Sequence, residues 1–142
     1  MALYVRQSAW LDAVPEHEGK SDLPANTVSR RKDMETRGRS IEMPPLDCGD
    51  YLIRHLYDIG PTIAAGMGSG PVTYSEMEAW QRVTGIQLLP WEASLLRRLS
   101  GEYAAESFAA TKRDRPAPFG SPISTRRSTQ SEIDRKLNNF LG

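Results

Sequence analysis

Cys48 and His55 are the one pairing in this sequence that could act as nucleophile and base, or begin a metal site. Seven positions separate them. On a helix rising ~1.5 Å per residue that is about 10 Å, far beyond the hydrogen-bond reach such a pair requires. His17 lies in a polar stretch, and no Cys/His cluster has the spacing of a zinc site. Gly66-Met67-Gly68-Ser69-Gly70 has the glycine density of a phosphate cradle. Such cradles follow a buried strand, and the P-loop type ends in Gly-Lys-Ser/Thr. Here a helical pattern precedes the glycines and no lysine follows, so the segment reads as a flexible connector. No catalytic, metal-binding or cofactor-binding constellation remains, and the chain reads as a non-enzyme.

The side chains left to carry function are those that bind protein. Trp80, Trp91 and Tyr103 are the large aromatics, and Glu92 and Leu95 lie among them. Trp91, Leu95, Leu99 and Tyr103 recur every four residues as one apolar stripe. Tryptophan and tyrosine dominate binding hot spots, but a small helical unit also needs large side chains to close its core. The core account is the stronger for each residue taken alone. Under it Trp91→Ala costs about 3–5 kcal/mol, whereas a loss below about 1 kcal/mol places Trp91 on a partner surface. A second group lies at the end of the chain. Ile133, Leu137, Phe140 and Leu141 fall at i, i+4, i+7 and i+8, after a Thr129/Glu132 capping spacing. A short amphipathic helix there must dock, either on its own hairpin or on another protein.

The elements that position these residues are marked clearly between Val72 and Tyr103. Thr73 with Glu76 has capping-box spacing, and Val72 with Met77 has that of a hydrophobic staple. Gly85 supplies a left-handed helix stop, and Pro90 suits the first turn of the next helix. These signals predict helices over about 74–84 and 90–111. A first helix is expected over 46–59, capped by Asp47 and stopped by Gly60-Pro61. Residues 1–14 are compatible with a helix too short to persist alone. Residues 15–45 read as a polar arm with four prolines and the basic triplet Arg30-Arg31-Lys32. The expected fold is all-α: a three-helix unit at 46–111, an extended, mostly irregular N-terminal arm at 1–45, and a basic linker with a terminal docking helix at 112–142.

Composition agrees with partial packing. Hydrophobic residues make up 39% of the 142 residues, below the roughly 45–50% usual for globular domains. The net charge of zero arises by cancellation. Residues 46–111 hold four basic and eight acidic residues, while residues 112–142 hold seven basic and three acidic. An acidic centre with a basic tail suggests self-docking or an acidic partner for the tail, and self-association stays open. Nucleic acid is disfavoured, because phosphate contacts need clustered Lys/Arg on the packed part. A small helix-turn-helix DNA-binding protein is the last alternative, since Pro90-Trp91-Glu92 opens the would-be reading helix with side chains poor at reading bases. The single Cys48 permits no internal disulfide, which fits a reducing cytosol. No apolar run approaches the roughly 20 residues that span a bilayer, so no membrane partner is expected.

One family is similar. The Tyr51-Leu52-Ile53 to Tyr57 helix, the glycine-rich connector, T-Y-S-E-M-E-A-W, T-G-I-Q-L-L-P-W-E and L-R-R-L-S-G-E-Y resemble small tail-gene-block proteins of tailed bacteriophages, the tail assembly chaperones. The resemblance runs over about 44–105, with Glu78-Ala79-Trp80, Thr84-Gly85 and Pro90-Trp91-Glu92 its most specific elements. It implies a non-enzymatic protein in the host cytoplasm that binds the tape-measure protein during tail assembly. The alternative is a structural virion protein of tail, neck or head, whose arms lace between neighbouring subunits.

Overall fold

The computed structural model describes residues 1–16 and 28–120. In chain order these form α1 (Ala2–Asp12), α2 (Arg30–Thr36), α3 (Asp50–Ile59), β1 (Ile63–Ala65), β2 (Gly68–Gly70), α4 (Tyr74–Thr84) and α5 (Pro90–Ala109). The long α5 is the axis. Its buried residues Leu96, Leu99, Ser100, Ala104 and Glu106 face α1 on one side and the α3–α4 pair on the other. One core joins Val5 of α1, Leu52, Ile53 and Leu56 of α3, Val72 and Met77 at the start of α4, and Leu96 and Leu99 of α5.

Two expectations need correction. The described residues of 1–45 include two helices, α1 and α2, and α1 makes the most extensive helix packing among the described residues, along α5. Among the described residues there are five helices, where three were expected in the packed unit. Residues 2–12 are too few to hold a helix in water unaided. Val5, Ala9 and Leu11 order the helix by being buried completely. The polar Gln7 and Ser8 are buried among them, which blurs the apolar stripe that would otherwise announce the helix.

The fold is also not purely all-α. The glycine-rich connector is an antiparallel hairpin in which Ile63 pairs with Gly70, Ala64 with Ser69 and Ala65 with Gly68. Gly66 has φ +58° at the first of two loop positions, the place where a type II′ hairpin turn requires a left-handed residue. Ser100 holds both ends of this excursion to α5. Its hydroxyl donates to the Pro61 carbonyl at 2.7 Å and accepts the Val72 N–H at 2.7 Å.

Local signals near α4 act as their chemistry requires. The Thr73 hydroxyl accepts the Glu76 N–H at 3.2 Å, Val72 and Met77 are both buried as a staple demands, and Gly85 ends the helix at φ +73°. The α3 helix starts later than its acidic flank suggests, with Gly49 at the cap position in a left-handed conformation.

At the far end of α5 the buried Arg30 closes the helix. Its guanidinium donates to the carbonyls of Ala110 at 2.6 Å and Lys112 at 2.9 Å, where exposed carbonyls and the helix dipole favour a cation. It also lies 4.7 Å from the centre of the Trp10 ring. Glu106, 3% exposed, accepts two hydrogen bonds from Arg115, at 3.1 and 2.9 Å. Gln7 on α1 holds both extended flanks, donating to the Glu42 carbonyl at 3.0 Å and accepting the Phe119 N–H at 3.0 Å.

Candidate functional site

The turn from α4 to α5 is the place where satisfied backbone and unsatisfied side chains meet. Gly85 N–H donates to the Gln81 carbonyl at 2.9 Å, and Leu88 N–H donates to the Gln81 side-chain oxygen at 2.7 Å. The Ile86 N–H donates to the Thr84 hydroxyl at 3.3 Å. Glu92 completes the set. One carboxylate oxygen accepts the Leu89 N–H at 2.8 Å and the other accepts the Tyr51 hydroxyl proton at 2.6 Å. This is the acidic half of a capping box, since Leu89 has no side-chain acceptor to return the bond. The Tyr51 hydroxyl, then the Leu89 N–H, hold the Glu92 carboxyl below the usual carboxylate range.

That bonding fixes the elbow's shape while its apolar side chains point outward. Val83 is 87% exposed, Leu89 and Trp91 are each 55% exposed, and Ile86 is 37% exposed. Four large apolar residues are exposed between Val83 at the end of α4 and Trp91 at the start of α5, and exposed apolar surface of that kind can mark an interaction site. A rigid elbow also loses little further conformational entropy when a partner covers it.

The side chains singled out from sequence are distributed unevenly around this elbow. Trp91 stands on its surface. Glu92 is spent inside the fold, tying α3 to the start of α5. Trp80 is half-buried beside it on α4: its indole N–H donates to Asp58 at 2.6 Å, and its ring centre is 4.9 Å from that of His55. The His55 ring in turn lies edge-on to Tyr51 at 5.7 Å, so an aromatic row links α4, α3 and the Glu92 clamp. Leu95 packs against the core. Tyr103 lies further along α5, where its hydroxyl donates to Asp12 at 3.2 Å. Burial, and then the charge of Asp12, push its ionisation upward. Ile133, Leu137, Phe140 and Leu141 lie outside the described residues.

The expected stripe of Trp91, Leu95, Leu99 and Tyr103 is thus offset from the buried one. Leu96, Leu99, Ser100 and Ala104 are the residues that face inward, together with Glu92. Val83, Ile86 and Leu89 were missed as surface residues because nothing in their type distinguishes an outward position from a core one. The signal that could have found them is the breadth of the apolar pattern, since 86–91 is apolar at every position but Gln87. Such a segment cannot be buried on every side in so small a unit.

Cys48 is exposed, and among the described residues no group of three His, Cys, Asp or Glu side chains gathers to hold a metal ion. No helix among them is long and apolar enough to cross a membrane.

Residues 42–105 match the phage tail assembly chaperone family. The match takes in α3, the hairpin, α4, the elbow and most of α5, and leaves α1 and α2 outside it. It supports a role in phage tail assembly, a non-catalytic kind of work, with other phage proteins as partners. No curated protein and no solved structure matches the chain.

Proposed function

We propose that the chain is a tail assembly chaperone that binds the tape-measure protein in the host cytoplasm, with the elbow formed by Val83, Ile86, Leu89 and Trp91 as its docking surface. The observation that carries this reading is the pairing of a turn held by hydrogen bonds at Gly85, Ile86, Leu88 and Leu89 with exposed apolar side chains, inside the segment that matches the family. A long helical protein awaiting polymerisation presents apolar stripes, and an apolar, preorganised turn is complementary to them. Each large side chain fully covered contributes about 1.5–3 kcal/mol before ordering costs. Several together suffice for reversible binding, which is what a chaperone requires.

The test is a pair of measurements on infecting phage. Leu89→Asp with Trp91→Asp should abolish recovery of the tape-measure protein with the chain and prevent tail formation. Mass spectrometry of purified wild-type virions should find the chain absent or in traces. Stoichiometric copies in the virion would instead identify a structural component.

A further inference from the structure

We infer that the outer face of α4 pairs two copies of this chain, helix beside parallel helix, through Ala79 and Val83, with Glu76 of each copy facing Arg82 of the other. The inference goes beyond the tape-measure reading and does not depend on it.

Helical geometry defines the face. At 3.6 residues per turn, each residue advances about 100° around the axis. Met77, buried in the core, therefore lies about 160° from Ala79, and Ala79 points away from the molecule. Ser75 and Val83, one turn to either end, lie within about 40° of the same direction. All three are exposed, Val83 to 87%. The centre of the face thus carries no long side chain, and a second helix can approach it closely.

Charge selects the occupant. Glu76 and Arg82 flank this centre, about 60° to either side and about 9 Å apart along the axis. Both are exposed, and neither side chain has an ion-pair or hydrogen-bond partner among the described residues. Glu78 lies about 100° from Ala79, off the face. A face with an acid on one border and a base on the other is complementary to itself in one direction only. A two-fold antiparallel pair sets Glu76 beside Glu76 of the second copy and Arg82 beside Arg82. A two-fold parallel pair gives each border one Glu76 and one Arg82, from opposite copies. Flanking charges set the direction of paired helices in this way. The Cα–Cβ bonds tilt toward the helix N-terminus, which leans Arg82 toward the level of the opposing Glu76. Exposed ion pairs add little strength, so they choose partner and direction, while covering Val83 supplies attraction. The parallel arrangement puts both α4–α5 elbows at the same end of the pair, where two apolar surfaces become neighbours.

Sedimentation equilibrium of the full-length chain alone tests the pairing. An interface this small binds weakly, so the series should run to about 1 mM chain, and it should show monomer in equilibrium with dimer. Glu76→Arg and Arg82→Glu should each weaken the dimer about tenfold or more, because like charges then meet on both borders. An equimolar mixture of the two variants should restore it, because opposite charges meet again. Circular dichroism should show each variant as helical as the parent. Independently of these charges, Ser75→Cys in a chain with Cys48→Ser should be joined copy to copy by a short bis-maleimide. Wild-type chain that stays monomeric at every concentration overturns the inference. A dimer indifferent to both charge changes overturns it too, and places the contact on another face. Failure of the mixture to recover, or of Ser75→Cys to be joined, overturns the parallel pairing. Since no partner protein is present, none of these outcomes depends on what the elbow binds.

Discussion

The two ends of α5 differ in their balance of buried polar and exposed apolar groups, although Glu92 is buried near its start and Phe108 is 80% exposed near its end. At its C-terminal end polar groups are buried: Arg30 seals the last carbonyls, Glu106 pairs with Arg115, and Gln7 holds two extended flanks. At its N-terminal end apolar groups are exposed: Val83, Ile86, Leu89 and Trp91 flank a turn held by hydrogen bonds from the Gly85, Ile86, Leu88 and Leu89 N–H groups. A buried polar group and an exposed apolar cluster are the informative departures from ordinary burial. Here they divide the labour. Buried polar clamps specify where α1, α2 and the flanks attach, while the exposed apolar elbow is the surface proposed to meet a partner.

The largest effect should come from the core the two ends share. Leu99 is fully buried, and Leu99→Ala should cost roughly 2–5 kcal/mol, since the cavity adds to the lost transfer energy. Denaturant melting checks this, and a loss below 1 kcal/mol would mean that α5 is not the axis of the fold.

Next is the polar end. Arg30→Met keeps the stem but removes the donors to Ala110 and Lys112. Hydrogen bonds to charged groups are worth about 1.5–3 kcal/mol, so a loss in that range is expected. Hydrogen exchange should locate it at the end of α5 and in α1 rather than at the elbow. A uniform loss of protection would show that the two ends do not behave separately.

The elbow clamp should show itself through pH. The Glu92 carboxyl is depressed in the fold from its ordinary 4.5. A depressed carboxylate adds stability that is fully present above the unfolded value and is lost as pH falls through the folded one. Acid should therefore loosen the tie between α3 and α5 from about pH 4.5 downward. Glu92→Gln should flatten that part of the stability–pH curve, and Tyr51→Phe should do so in part. An unchanged acid limb in both variants would remove Glu92 from its role as a clamp.

These two regions were not equally legible in the sequence. The limits of α4 and the start of α5 follow from Thr73, Gly85 and Pro90, because caps and stops are local chemistry. The α1 helix is hidden because Gln7 and Ser8 occupy buried positions and find partners beyond the helix, Gln7 at Glu42 and Phe119 and Ser8 at Arg31. Arg30 is hidden for the same reason. Within a basic triplet it looks solvated, yet its partners are Trp10, twenty residues before it, and Ala110 and Lys112, about eighty after it. Trp91 could be read from sequence as either core or surface, since a four-residue stripe does not say which neighbouring stripe turns inward.

The smallest change in stability should accompany the largest change in binding, and that contrast tests the comparison most sharply. Val83→Ser with Trp91→Ala removes apolar surface that already faces water, at 87% and 55% exposure. Truncating exposed side chains away from caps and clamps alters stability by about 0.5 kcal/mol or less per site. The double variant should therefore melt within about 1 kcal/mol of the parent chain, far from the 3–5 kcal/mol that a core tryptophan would cost. The same variant should lose recovery of its tail-assembly partner, because hot-spot aromatics contribute about 2 kcal/mol or more when a partner covers them. Melting and partner recovery measured on one preparation decide the matter. A large loss of stability would make Trp91 part of the core after all, and unchanged recovery would move the partner surface away from the elbow.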